Sequence, residues 1–175
     1  MPTSTLSRRR TGLDADALAE IAGAVLAARS MWDGVARVDP DGRRPVRLIA
    51  DDVFEVWVIG WFSGQGLDLH DHGESAGAIV VAEGRLHETR LGTDGLEVHT
   101  LDRGIVRPLP AKTVHGIANV DARAATSIHV YSPPLAQMTH FDATDLRAVK
   151  TVDVAVEAPM LPTAVAQLVR ISRRV

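Results

Sequence analysis

An all-β sandwich or barrel preceded by a helical segment is the fold this sequence predicts, on three observations. The apolar period is near 3.6 up to about Trp32 and becomes 2 after residue 45. Short strand-like runs then follow one another to about residue 131, each bounded by turn residues. The chain has 175 residues, 46% hydrophobic and 23% charged, and no cysteine. That is enough chain for one domain whose core needs no disulfide staples.

From Asp14 to about Trp32, Leu18, Ile21, Val25 and Leu26 recur at helical steps and form one apolar stripe. Asp14 and Asp16 stand near its start, where capping oxygens and negative charge are favoured. Gly34, Asp39-Pro40-Asp41-Gly42 and Pro45 make residues 33–45 a turn-rich connection. Strands are expected at about 46–50, 53–62, 67–72, 76–82, 85–90, 95–101, 104–108, 113–120 and 125–131. Gly64, Gly66, Gly73, Glu83-Gly84, Gly92 to Gly95 and Asp121 punctuate them. Residues 76–82 are apolar on both faces, as in a central strand. Beyond Pro134 the pattern is less regular, with a strand expected at 152–156 and a short helix after Pro162. No linker or repeat divides the chain, so residues 1–175 read as one domain, helical at about 14–32 and a barrel at about 46–157.

Composition excludes several function classes. A net charge of −3 and a pI near 6.1 lack the basic surplus of a nucleic-acid-binding surface. Ser7-Arg8-Arg9-Arg10 could open an export signal, but Asp14, Asp16 and Glu20 interrupt the apolar stretch that should follow. No run approaches the roughly 20 apolar residues of a membrane span. The expectation is a soluble cytoplasmic protein. Without cysteine there is no thiolate ligand, Fe–S cluster or cysteine nucleophile, so any metal sits on His, Asp or Glu. Tyr131 is the only tyrosine.

His70 and His72 lie two apart on an expected strand and leave it on one face. Plain alternation puts Asp68 on that face, and Leu67, Leu69 and Asp71 on the other. Two imidazoles so held are half of a site for Zn, Cu, Fe or Ni, although one such pair is also compatible with a solvated strand face. Residues 64–84, GQGLDLHDHGESAGAIVVAEG, and 104–119, GIVRPLPAKTVHGIAN, resemble the two cupin motifs. Gly64, His70, His72 and Gly84 fall in place in the first; Gly104, Pro110, His115 and Asn119 do so in the second. The resemblance implies a cupin-type double-stranded β-helix, or jelly-roll barrel. Gly77 occupies the region of the first motif's glutamate ligand, and Lys112 replaces a glycine of the second. The resemblance therefore implies a metal site of His70, His72 and His115. A second ligand set, His72, Glu74 and His115, would leave His70 idle and draw a ligand from a turn.

Ser127, His129 and Tyr131 alternate with Ile128 and Val130 and share one face of a strand, able to form a hydrogen-bond chain. Segments HDHGESAGA and SIHVYSPPL, with glycine in place of the cupin glutamate, resemble thiol dioxygenases of the cysteine dioxygenase type from about Arg47 to Pro134. That resemblance implies iron(II) on three histidines, with positions left for a thiolate, a second substrate group and dioxygen, and a sulfinic acid as product. It implies that Tyr131 bonds substrate or oxygen, that His129 orients Tyr131, and that Ser127 orients His129. The thioether between cysteine and tyrosine found in mammalian members is impossible in a chain without cysteine. The family's carboxylate-binding arginine matches Arg47, with Arg43 and Arg44 as rivals; arginine offers carboxylates a bidentate fork. His87, His99 and His140 fit no constellation.

The activity so implied is oxidation of a small thiol carboxylate, L-cysteine first and 3-mercaptopropionate second, by a monomer with Fe(II), O2 and no reductase partner. Two other readings remain open: a three-histidine zinc site for hydration or hydrolysis, and a small-molecule-binding cupin with a structural metal. The Ser127–His129–Tyr131 line separates them, since neither alternative requires it.

Overall fold

The computed structural model describes residues 12–154. Helix α1 (Ala15–Ala27) starts where the Asp14 side chain accepts the Ala17 N–H at 2.8 Å. It stops short of Trp32: a 3₁₀ turn, Arg29–Met31, follows, and the Trp32 indole N–H folds back onto the Leu26 carbonyl. Leu18, Ile21, Ala22 and Val25 form its buried stripe. No helix among the described residues is long and apolar enough to cross a membrane.

Eleven strands follow: β1 (Val46–Ala50), β2 (Glu55–Trp61), β3 (Gly66–Asp71), β4 (Ala76–Glu83), β5 (Arg85–Gly92), β6 (Gly95–Asp102), β7 (Val106–Leu109), β8 (His115–Ala118), β9 (Ala125–Ser132), β10 (Gln137–Phe141) and β11 (Ala148–Asp153). They form two antiparallel sheets, ordered β1-β2-β9-β4-β7 and β11-β10-β3-β8-β5-β6. The first nine match the expected strands within a few residues. The strand expected at 152–156 ends earlier, as β11. Its partner β10 was not foreseen: it is half-buried, but Met138 and Phe141 stand three apart and leave no strict apolar alternation, and β11 is largely exposed. The helix expected after Pro162 and the barrel end at 157 lie outside the described residues.

Alternation in the five-stranded sheet builds two separate cores. Val56, Val58, Ala78, Val80, Ile128 and Val130 face α1 and pack on its apolar stripe. Ile79 and Val81 face the other way and meet Leu86, Leu101 and Ile117 of the second sheet. Ser127, His129 and Tyr131, the odd positions of β9, therefore enter the space between the sheets. Covering one face of β9 with a helix is what forces its polar face inward.

Plain alternation fails in β3. Leu67 pairs with Ile117 and His70 with His115, so three steps on β3 oppose two on β8. This bulge turns Leu67 toward the same interior as His70, where both line one cavity, and leaves Asp68 exposed. Asn119 fixes the nearby crossover. Its Nδ2 donates to the carbonyls of Trp61 and Arg123, at 3.1 and 2.8 Å, and its Oδ1 accepts the Asp121 N–H at 3.1 Å. The asparagine of the second motif is thus a buried backbone clamp. Asn119→Ala is expected to cost about 2–4 kcal/mol, from lost bonds and a stranded buried carbonyl. Urea unfolding checks this, and a loss below about 0.5 kcal/mol would contradict it.

Candidate metal centre

His70 and His115 face each other across the β3–β8 pair, and His72 follows β3 by one residue. All three are buried, and one ligand nitrogen from each lies within 4.8 Å of the others. Their outer nitrogens explain the orientation. The carbonyl of Asp68, in the bulge, accepts the His70 Nδ1–H at 2.8 Å. The Glu88 carboxylate accepts the His115 Nδ1–H at 3.0 Å. Those bonds place the protons on Nδ1 and leave the Nε2 lone pairs of both rings bare. Nε2 of His72 and of His115 are buried with no hydrogen-bond partner among the described residues. Buried, unsatisfied nitrogens converging on one point fit a divalent metal ion.

Glu88 carries no sequence motif and was not anticipated. It is fully buried on β5, beside Leu86 on the inward face, and forms ion pairs with Arg90 and Arg107 at 2.9 and 3.0 Å. Burial pushes its pKa up, but the His115 bond and the two guanidinium charges outweigh that and hold it below the usual glutamate value. A charged residue two positions from buried Leu86, on the same face, was the available signal. Glu74, by contrast, is 82% exposed and pairs with Lys112 at 2.8 Å, so the ligand set containing Glu74 is overturned. Lys112 holds φ +64° in the turn where the motif carries glycine.

Gly77 pairs with Tyr131 across β4 and β9. A Cβ at Gly77 would stand 3.0 and 3.1 Å from Cδ1 and Cε1 of the Tyr131 ring. The tyrosine ring thus fills the space above the position of the cupin glutamate. The Ser127 Oγ lies 2.8 Å from His129 Nε2, and His129 Nδ1 lies 3.1 Å from the Tyr131 hydroxyl. The Tyr131 ring packs on His72, centroids 4.7 Å apart. Burial, with the charge of Glu55 adding and Arg43 opposing, raises the Tyr131 pKa, so the phenol stays protonated. Burial first, then neighbouring imidazoles, pushes His70 and His129 down to about 3 and His72 well below its usual value. These rings are neutral.

A cavity of about 160 Å³ opens onto His70, His115, His129 and Tyr131, with apolar walls that include Trp57, Ile59, Leu135 and Met138. Among the described residues its one charged lining residue is Arg43, whose guanidinium sits 5.2 Å from the Trp61 ring centroid. Among the described residues no carboxylate lies in ion-pair range of Arg43. Arg47, the residue expected to bind a carboxylate, does not line the cavity. It is buried in an ion pair with Glu55 at 2.8 Å, because it alternates on β1 opposite Trp57 and beside the β2 carboxylate. Arg44 pairs with Asp39 at 2.6 Å on the surface. His87 and His99 stand near Asp121 and Glu97. His140 pairs with His70 across β10 and β3 but lines a separate, open groove of about 690 Å³. That groove is larger, yet it lacks the convergent buried imidazoles that make the smaller cavity chemically distinctive.

The fold and the site together define a cupin-type double-stranded β-helix with a three-histidine centre. Solved structures share the fold. One is an uncharacterized conserved protein with a double-stranded β-helix domain from Klebsiella pneumoniae, at 19% identity over 58% of this chain and 85% of that one, TM-score 0.52. Another is TT1209 from Thermus thermophilus, at 24% identity over 58% of this chain and 92% of that one, TM-score 0.52. An RmlC-like cupin protein from Desulfovibrio desulfuricans is 28% identical over 56% of this chain and 89% of its own, TM-score 0.48. The sequence model of cysteine dioxygenase type I matches residues 6–144, and the chain belongs to that family.

Glu88→Gln should weaken metal binding about 10- to 100-fold, since a carboxylate behind a ligand imidazole raises its basicity and fixes its tautomer. Competition with a chelator measures this; unchanged affinity would remove Glu88 from the site. In metal-free protein the neutral His70 and His129 take up protons only near pH 3, whereas unfolded histidine does so near 6.5. Their contribution to stability is therefore full above about pH 6.5 and is lost as pH falls toward 3. The Tm of the metal-free protein should drop from pH 7.5 to pH 5, and a flat or rising Tm would contradict this.

Proposed function

We propose that this protein is a thiol dioxygenase that uses iron(II) and O2 to convert a small thiol carboxylate, L-cysteine first, to its sulfinic acid. The observation that carries the reading is the Ser127–His129–Tyr131 chain, which ends at the same small cavity as the three histidines. Iron(II), held by His70, His72 and His115, would supply positions for thiolate and dioxygen and the electron exchange that puts both oxygen atoms on sulfur. The thiol itself gives the four electrons taken up by O2, so the reaction needs no reductase.

The chain's own residues do the rest. Arg43 offers the substrate carboxylate a forked pair of donors, the role for which the family resemblance puts Arg47 first and Arg43 among its rivals. Trp57, Ile59, Leu135 and Met138 keep water out and strengthen that charge contact. Tyr131, kept protonated, donates a hydrogen bond to the reacting groups, and His129 and Ser127 fix the direction of its hydroxyl. Neither a hydrating zinc site nor a passive binder needs such a chain. A second substrate, 3-mercaptopropionate, is favoured by one observation: among the described lining residues no carboxylate awaits an ammonium group.

Oxygen uptake by the iron-loaded protein tests the reading. Cysteine or 3-mercaptopropionate should drive uptake, with a product heavier by two oxygen atoms, and cysteamine, lacking the carboxylate, should not. No uptake with any thiol at full iron occupancy would sink it. Tyr131→Phe should keep iron and lose about 10- to 100-fold in kcat. Arg43→Gln should raise KM about 10- to 100-fold, the worth of a charge-assisted pair. An unchanged KM there, with a raised one in Arg47→Gln, would return the carboxylate to Arg47.

A further inference from the structure

Trp61, at the end of β2, is fully buried and touches both halves of the cavity. Its indole N–H donates to Ser127 Oγ at 2.8 Å. One face of its ring lies under the Arg43 guanidinium, and the ring stacks on His129 with centroids 6.4 Å apart and planes inclined by 30°. No motif marks it, yet the hydrogen-bond chain that ends at Tyr131 begins here.

An indole N–H can only donate, whereas a serine hydroxyl has one proton and two lone pairs. Ser127 is fully buried, so its own proton must find an acceptor. Among the described residues its one side-chain partner besides Trp61 is His129 Nε2, at 2.8 Å. We propose that Trp61 is a positioning residue that sets the polarity of this chain: by donating to Ser127 it directs the serine proton to His129 Nε2, so that Nδ1–H donates to Tyr131 Oη and the phenol proton points into the cavity. The opposite polarity has His129 Nε2–H donating to Ser127 and the phenol proton returned to Nδ1. It strands the serine proton in the core and turns the tyrosine from donor to bare acceptor toward the cavity. Both nitrogens of His129 face hydroxyl groups, which alone would accept either polarity; the indole, a donor on the other side of Ser127, offers the serine proton no second acceptor and so selects one.

The role of the phenol proton rests on the reading of Tyr131 as the group that meets substrate; the tautomer does not. The test is ¹⁵N NMR of histidine-labelled, iron-free, full-length protein, with the His129 signals assigned by their loss in His129→Gln. The wild type should show His129 protonated on Nδ1. Trp61→Phe keeps a ring face for Arg43 and His129 but removes the N–H, and its His129 should shift toward the Nε2–H form. A wild-type ring protonated on Nε2 overturns the proposal, and needs no variant to fold. So does a folded Trp61→Phe that keeps the Nδ1–H form undiminished. With iron and thiol, Trp61→Phe should lose at least tenfold in kcat while KM stays within about threefold; an unchanged kcat despite a reversed tautomer overturns the functional half. If no thiol supports oxygen uptake but the tautomer behaves as stated, the dioxygenase reading fails and the assignment of Trp61 stands.

Discussion

Three buried imidazoles whose ligand nitrogens lie within 4.8 Å of one another are the constraint on which the rest of the site depends. Two charged rings could not share that space, and burial alone already favours the neutral form. Ring N–H groups in a dry interior must find acceptors, and those of His70 and His115 do so differently. His70 uses a carbonyl freed by the β3 bulge, and His115 uses Glu88. Glu88 in turn is tolerable in the core because Arg90 and Arg107 close on it. Removing any one of these leaves a buried group unpaired, so the cluster is held as a unit.

The two sheets divide the labour. The six-stranded sheet supplies the metal ligands, from β3 with the residue that follows it and from β8, together with Glu88 on β5. The five-stranded sheet supplies Trp61 from β2, Gly77 from β4 and the Ser127–His129–Tyr131 line from β9. The site exists only where the sheets close on each other, and the helix on the far side of the five-stranded sheet fixes which face of β9 turns inward. The absence of cysteine acquires a structural meaning here. Gly77 leaves the Tyr131 ring its space, and the phenol contributes to the site unmodified.

Much of this was legible in the sequence because it obeys strict periods. The step of two in His70-x-His72 and in Ser127-x-His129-x-Tyr131 fixes a shared face wherever the strand runs regularly, and motif spacing brought in His115. What stayed hidden depends on contacts between distant strands. The bulge at Leu67–His70 breaks the period and inverts the expected placement of Asp68 and Leu67. Trp61 lies in phase with apolar neighbours, so local pattern reads it as packing, and Glu88 shares a face with Leu86 but carries no motif; only the partners Ser127 and His115 reveal their roles. Arg43 and Arg47 are four residues apart with like chemistry. Their difference lies in Glu55, which neutralises one and not the other. β10 lacks a strict apolar alternation, and β11 is exposed enough that only its end was legible as a strand.

The central claim is that His70, His72 and His115 form one metal site, and anaerobic titration of the metal-free protein with iron(II) tests it most directly. The account predicts one tight site per chain in the wild type, and its loss in His115→Ala while Glu74→Gln leaves it intact. Equal iron binding by wild type and His115→Ala, or loss of the site in Glu74→Gln, would contradict it.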